Sequence, residues 1–199
     1  AIEFFFPVFD KAVLFHEEAG AVLPEVVPVE TGRAIARTRP PGDGRPGRSV
    51  KGQYLRGVRG KDLDIRAGEG IKRLPGSPEV LSAHAGVVVR EGAHLDVVPF
   101  YVVSGDLTQD LAFAGNVLVR GNVSGVSIRA EDVYVAGNVD GGTILAHGDI
   151  WIGGGFSGRK SGTIETDGRC YARSINEAAV LALGEVVARH SITYSEVTS

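Results

Sequence analysis

The hydrophobic positions of residues 111–192 repeat one short phrase. In each of five copies, two mostly apolar residues spaced two apart are followed by a second apolar pair and then by one more apolar residue. A glycine stands between the two pairs in four copies, followed by Asn or Asp in two of them, and another glycine precedes the last apolar residue in three copies. Period-two alternation predicts short strands, and the glycines predict the turns between them. The middle apolar residues step by 16, 17, 20 and 16 positions, and they are Val117, Val133, Ile150, Cys170 and Val186.

This period predicts a parallel β-helix of about five coils, each with three short faces. A propeller blade or a helical repeat would need a longer period. Stacking the coils about 4.8 Å apart places the five middle residues in one inward ladder. The 20-residue step is assigned to an insertion around 157–161. The predicted β-helix domain spans 104–199, entered at Ser104-Gly105-Asp106.

The first half of the chain lacks this repeat, and residues 1–103 are predicted to form a smaller, irregular β-rich domain. A short amphipathic helix is predicted around 9–19, and a basic Pro/Gly-rich loop at 37–52. Short strands are predicted where apolar residues are bracketed by glycines and charges. They lie at 62–66, 86–90 and 96–103.

The outward positions of the middle strand form an apolar and aromatic stripe. A contiguous exposed patch of this kind is rarely left bare, so the stripe is a candidate docking surface for the N-terminal half or for a partner. Its residues are Leu118, Tyr134, Trp151, Tyr171 and Val187. Within the same coils, Cys170 and the lone His147 are interpreted as structural residues.

The composition is that of a globular protein with 199 residues, 28 glycines, one cysteine and no methionine. A single cysteine excludes an intramolecular disulfide framework and suits a reducing compartment. No apolar run approaches the roughly 20 residues that span a bilayer, and no signal peptide is visible. We therefore expect a cytoplasmic protein without membrane insertion, and the start at Ala1 indicates a fragment.

The net charge of −3 is the sum of a basic segment and an acidic remainder of the chain. Residues 33–73 carry 12 Lys and Arg against four acids, whereas the rest carries nine against 20. The basic segment is either a solvated face or a site for an anion, a nucleic acid or an acidic partner. A single aromatic residue, Tyr54, and the acidic total disfavour nucleic acid. The candidate contacts are Arg45, Arg48 and Lys51, with Arg159 and Lys160 as an addition.

The chain shows no recognisable catalytic pattern, so we predict no enzyme, no cofactor and no metal site. Its five histidines lack metal-ligand spacing, and Cys170 has no evident base. Residues 42–49 imitate a phosphate-binding loop, but prolines precede them and no helix is predicted after them. A polysaccharide-active enzyme remains an alternative by fold analogy alone, and it would need clustered acids along one face.

Two stretches of the chain resemble the flagellar assembly protein A family. The first is TGRAIARTRPPGDGRPGRSVKG with the later GKDLDIRAGEGI and LDVVPFYVVSGDL, and the second runs from GNVLVRGNV to GEVVARHSI. The repeat is also similar in style to the C-terminal domain of MinC and to the bactofilins. The resemblance implies a bacterial protein with a right-handed β-helix and no known enzymatic activity. It further implies a link to flagellar assembly or cell-pole organisation through protein partners.

These observations predict a non-catalytic scaffold that acts by protein–protein contacts. The ends of a β-helix expose unpaired strand edges, so self-association through an end or a face is expected. The alternative is an anion- or nucleic-acid-binding module that uses the basic segment 33–73.

Overall fold

A computed structural model of the chain describes residues 2–10, 26–61 and 66–199, and every regular element in these ranges is a β-strand. No helix within the described residues is long and apolar enough to cross a membrane. The chain divides into two compact units, one of residues 1–16 and 29–97 and the other of residues 17–28 and 98–199. The strands of the first unit are β1 (Ile2–Phe4), β2 (Phe9–Asp10), β3 (Ala34–Thr38), β4 (Gly47–Arg48), β5 (Tyr54–Leu55), β6 (Arg66–Ala67), β7 (Ile71–Arg73), β8 (Glu79–Ser82), β9 (Val87–Glu91) and β10 (His94–Val98).

The first unit holds two small sheets and one short hairpin. One sheet is antiparallel with the order β1-β3-β8-β7, and the other has the order β2-β9-β10-β6. Their core is aliphatic, with Ile35 and Ala36 from β3 and Leu95 from β10 fully buried. The buried hydroxyl of Ser82 stabilises the turn at residues 30–33, because it donates to the carbonyl oxygen of Glu30 and accepts from the amide of Arg33.

Three details of this unit differ from the sequence-based expectations. Where a helix was expected, Phe9–Asp10 forms strand β2 beside β9, and residues 11–19 lie outside the described ranges. The loop predicted at 37–52 begins inside β3 and contains β4, which pairs with β5. Of the strand predicted at 62–66, only residue 66 is described, and it starts β6.

The second unit is a parallel β-solenoid that runs from residue 100 to residue 198. Consecutive coils pair in parallel through all of their faces. Its strands are β11 (Phe100–Val103), β12 (Leu111–Ala112), β13 (Asn116–Val119), β14 (Val123–Ser124), β15 (Ser127–Ala130), β16 (Val133–Val135), β17 (Val139–Asp140), β18 (Thr143–Ala146), β19 (Ile150–Thr166), β20 (Cys170–Ala182), β21 (Val186–Thr193) and β22 (Glu196–Thr198).

The predicted inward ladder is confirmed residue by residue. Val117, Val133, Ile150, Cys170 and Val186 are register partners in successive coils, and the first four have no solvent exposure. Two further ladders line the rest of the interior, and their members are buried except for the last residue of each, which is exposed in the end coil. One consists of Val123, Val139, Phe156, Ile175 and Ile192, and the other of Ile128, Ile144, Ile164, Val180 and Val197.

The solenoid has six coils, one more than the sequence predicted. The additional coil begins with β11, which pairs in parallel with β13 and places Tyr101 above Val117. The segment 96–103 is therefore two strands rather than one, with Pro99 between β10 and β11. Tyr101 stands at an inward position, and its ring lies 5.7 Å from that of Phe113. These two aromatic rings lie over the first end of the apolar interior.

The coils change direction at corners that constrain the backbone. Gly142 illustrates the constraint, because its φ is +88° and a Cβ there would overlap the carbonyl oxygen of Val126. The later coils use other residues at positive φ, namely Arg159, Lys160, Glu177 and Tyr194. The first two fall within the predicted insertion, where the register of β19 against β20 shifts between Ser157 and Gly162.

Candidate partner-binding surfaces

The outward stripe lies on the face formed by β13, β16 and the first parts of β19, β20 and β21. Leu118, Tyr134, Trp151, Tyr171 and Val187 are register partners in five successive coils. Each lies between two inward residues of its own strand, so period-two alternation places it on the outer surface. The five residues therefore form one row across successive coils, as the repeat predicted.

The first part of this stripe is covered within the solenoid unit itself. Leu118 is 2% exposed and Tyr134 is 8% exposed. The ring of Phe100, from the first coil, stacks on Tyr134 with the centroids 6.2 Å apart and an angle of 18° between the planes. In the same coil as Leu118, the Arg120 guanidinium donates to the carbonyl oxygen of buried Val26 at 3.0 Å. The chain's own residues occupy this half of the predicted docking surface.

The second part of the stripe remains partly open to solvent. Trp151 and Tyr171 are half-buried, and so is Val187 in the last coil. The Trp151 ring packs over Gly153, where a Cβ would lie 2.9 Å from a ring carbon. The Tyr171 ring is met by the Arg169 guanidinium at 5.8 Å, a cation–π contact. The rings of Trp151 and Tyr171 are thus packed against neighbouring residues, and part of each ring is still exposed to solvent.

A charged ladder flanks the stripe on one side. The Asp132 carboxylate accepts the amide of Asp149 at 2.7 Å, and the Asp149 carboxylate accepts the amide of Arg169 at 2.8 Å and pairs with its guanidinium at 2.8 Å. Burial raises the pKa of Asp132 to about 6, although its hydrogen bond from Asp149 opposes the rise. Burial also raises the pKa of Tyr134, with a smaller contribution from the neighbouring charges of Asp132 and Asp149.

The three basic candidates of the first unit lie on the hairpin formed by β4 and β5. Arg45, Arg48 and Lys51 are all exposed. None of them makes an ion pair with any residue in the described ranges. Among the described residues, the carboxylate that approaches a cation of this hairpin is Asp43, 3.9 Å from Arg59.

Two family models match this sequence. The β-solenoid domain of flagellar assembly protein A matches residues 101–199, and the N-terminal region of the same protein matches residues 21–93. The chain belongs to the flagellar assembly protein A family. No curated protein and no solved structure matches the chain.

In this family member, the two basic candidates of the solenoid lie at a corner rather than beside the stripe. The Arg159 guanidinium forms a two-pronged ion pair with Asp140, which raises its pKa. Lys160 lines an open groove of about 570 Å³ together with Glu177, Tyr194 and Glu196. Since Arg159 is already paired and two carboxylates line the same groove as Lys160, this corner is less suited to an anion than the hairpin.

The two residues interpreted as structural have different surroundings. Cys170 is fully buried in the inward ladder, and burial raises the pKa of its thiol to about 12. It is therefore protonated at neutral pH and has the surroundings of a small apolar core residue. His147 lies on the surface instead, where its Nδ1 is 3.3 Å from the Asp167 carboxylate. Within the described ranges, no three His, Cys, Asp or Glu side chains are grouped to hold a metal ion.

The family member also carries a side-chain ladder that the sequence reasoning missed. The side-chain oxygens of Asp106, Asn122 and Asn138 each accept a backbone amide of the next coil, at 2.7–2.9 Å. The signal was present in the sequence, because Asn122 and Asn138 follow a glycine at the same place in two phrases. The repeat phrase specifies only the glycine at this place, although the Asn that follows it can accept a backbone amide of the next coil.

Proposed function

We propose that this protein is a non-catalytic scaffold of flagellar assembly in the bacterial cytoplasm, and that it acts by binding other proteins. Membership of a flagellar assembly family supports the process. The solenoid supports the mechanism, because three continuous apolar ladders give a rigid body on which surface side chains keep fixed positions.

The observation that carries the proposal is the open part of the aromatic stripe. Protein interfaces are enriched in Trp, Tyr and Arg, and their strongest contacts are aromatic anchors held in place before binding. Trp151 and Tyr171 have this character, since Gly153 and Arg169 fix their rings. Exposed Arg173 and Arg189 follow the stripe in the last two coils. The partner that fits is a protein of the flagellar assembly apparatus whose contact surface is apolar with an acidic rim.

The test replaces both open aromatic residues in the full-length protein of a flagellated cell. Trp151→Ser combined with Tyr171→Ser removes the anchors and leaves Tyr134, which packs inside the unit. We expect cells with this variant to lose flagella to the same extent as cells that lack the protein. The matched control is Leu145→Ser combined with Leu181→Ser, which removes two outward apolar side chains from another face.

The comparison requires equal amounts of folded protein in all strains, measured by immunoblot and by the thermal unfolding midpoint of the purified variants. Normal flagellar number with the aromatic double variant would contradict the proposal. A loss of flagella with both double variants would also contradict it, because the effect would then not belong to the stripe.

A further inference from the structure

A two-stranded ribbon, here named the basic arm, extends over residues 42–61 of the first unit. Its strands pair at Gly47 with Leu55 and at Arg48 with Tyr54. The turn is closed by two backbone hydrogen bonds of 2.9 Å between residues 49 and 52–53. At the base, the amide of Gly60 donates to the carbonyl oxygen of Gly42 at 2.9 Å, in the same register. The two sides of the arm therefore run back along each other in one register, with strand pairing at β4 and β5.

The basic arm leaves its apolar side chains in water. Every residue from 42 to 61 is exposed except Ser49 and Gly57, which are half-buried. Val50 is 106% exposed, Val58 is 85%, Tyr54 is 71% and Leu55 is 51%. A ribbon that buries neither face gains little stability from its own packing. Four large apolar side chains on such a ribbon indicate a surface that becomes buried on binding.

The basic arm also carries an excess of positive charge. Its six cations face a single acid, Asp43, and that acid lies near only one of them, Arg59. No described residue forms an ion pair with Arg45, Arg48, Lys51 or Arg56. Four of the six cations are arginines, whose planar guanidinium groups bind carboxylates with two parallel hydrogen bonds.

We propose that the basic arm binds an acidic segment of another protein that also presents apolar side chains. This inference rests on the proposed function, because it takes the chain to act by binding proteins, and it names a second surface with its own partner chemistry. The cations would bind the partner's carboxylates, and Val50, Tyr54, Leu55 and Val58 would bury against its apolar side chains.

Two other polyanions fit the basic arm less well. A nucleic acid duplex offers phosphates to the cations but no apolar partner to Leu55 or Val58, and Tyr54 is the arm's one aromatic ring for base stacking. An anionic bilayer takes up side chains only to a depth of about 5–10 Å. Val58 lies beside Gly44 on the opposite side of the arm. Gly44 is six residues from Val50 in the turn, so Val58 is roughly 20 Å from the turn along the arm. Insertion of the turn would leave Val58 in water.

The experiment measures the affinity of the full chain for four fluorescent probes at moderate salt. The probes are an acidic peptide with alternating Leu and Phe, an equally charged peptide with Ser in their place, a DNA duplex, and phosphatidylglycerol vesicles. We expect the acidic–apolar peptide to bind at least about tenfold more tightly than each of the other three.

Variants assign this binding to the basic arm. Arg45→Glu combined with Arg48→Glu should lower the affinity for the acidic peptide with Leu and Phe at least about tenfold. Leu55→Ser combined with Val58→Ser should make the affinities for the peptide with Leu and Phe and for the peptide with Ser equal. The charge-matched control, Arg90→Glu combined with Arg129→Glu, changes two exposed arginines outside both proposed surfaces and should leave the affinity within about twofold.

Equal affinity for both peptides would overturn the inference, and so would tighter binding of the duplex or the vesicles, or binding of none of the probes. The same holds if the control variant weakens binding as much as the arm variant. These failures are distinct from failure of the proposed function, because the arm variants retain Trp151 and Tyr171 and the flagellar test retains the arm.

Discussion

Asp132 is the residue whose replacement tests the electrostatics of the solenoid most sharply. It is partly buried beside the stripe, and its carboxylate accepts the backbone amide of Asp149 at 2.7 Å. Asn122 and Asn138 accept amides of the next coil in the same manner in the neighbouring ladder. Asp132→Asn should therefore keep the hydrogen bond between coils and remove the buried charge.

The expected change in the free energy of unfolding, and its sign, follow from the pKa of Asp132, which burial raises from 3.8 to about 6. A difference of about 2 in pKa corresponds to about 3 kcal/mol, which partial exposure reduces to about 1–3 kcal/mol. Because the folded-state pKa is the higher one, the folded protein holds this proton more tightly than the unfolded chain. The stabilisation from Asp132 is therefore full below about pH 4 and is lost as the pH rises through about 6.

The assay is urea unfolding at a series of pH values from 4 to 7.5, followed by tryptophan fluorescence. Trp151 is the one tryptophan of the chain and lies in the coil after Asp132, so the signal reports the solenoid. Wild type and Asp132→Asn should unfold alike near pH 4. Their midpoints should separate between pH 4 and 6, with the variant more stable by about 1–3 kcal/mol above pH 6.

The difference between the two proteins cancels the titration of all groups they share. Asp106→Asn is the matched control, because it makes the same exchange at an exposed rung of the neighbouring ladder and should change stability by less than about 0.5 kcal/mol. A pH-independent difference between wild type and Asp132→Asn would refute the reasoning, as would a variant that is less stable at pH 7.

The same fluorescence assay checks two features of the interior and the corners. Cys170→Ser should lose about 1–3 kcal/mol because its hydroxyl would lie in an apolar ladder, whereas Cys170→Val should stay within about 1.5 kcal/mol of wild type; equal losses would contradict the ladder. Gly142→Ala should cost at least about 1–3 kcal/mol, because it adds steric overlap to a positive φ, and it should cost more than Gly125→Ala, where nothing lies near the new Cβ. Equal costs for the two glycine variants would show that the overlap is relieved cheaply.

The sequence predicted the solenoid well because its side-chain pattern is imposed by stacking. Each inward residue must pack on its equivalents above and below, so the spacing of Val117, Val133 and Ile150 carries the register directly. The first coil escaped detection because Phe100–Val103 lacks the glycine-punctuated phrase. Its inward residue, Tyr101, is also 47% exposed, since it has a coil on one side only.

The candidate surfaces were only partly predictable, because coverage depends on contacts between distant segments. Period-two alternation identified the stripe, but nothing in it shows that Phe100 stacks on Tyr134 or that Val26 binds Arg120. The sequence predicts a loop at 37–52 because Pro and Gly are frequent there, and because β4 and β5 have only two residues each, which is too short to show alternation. The register of the basic arm depends on backbone hydrogen bonds that composition does not reveal.

The central claim is that the open aromatic stripe contacts another protein of flagellar assembly. The most direct measurement places a photo-crosslinking phenylalanine derivative at Tyr171 of the full-length protein in a flagellated cell, with the same substitution at Leu181 on another face as the control. We predict a covalent adduct with a flagellar assembly protein from position 171 and none with that protein from position 181. Absence of a protein adduct at position 171, or the same adduct from both positions, would contradict the account.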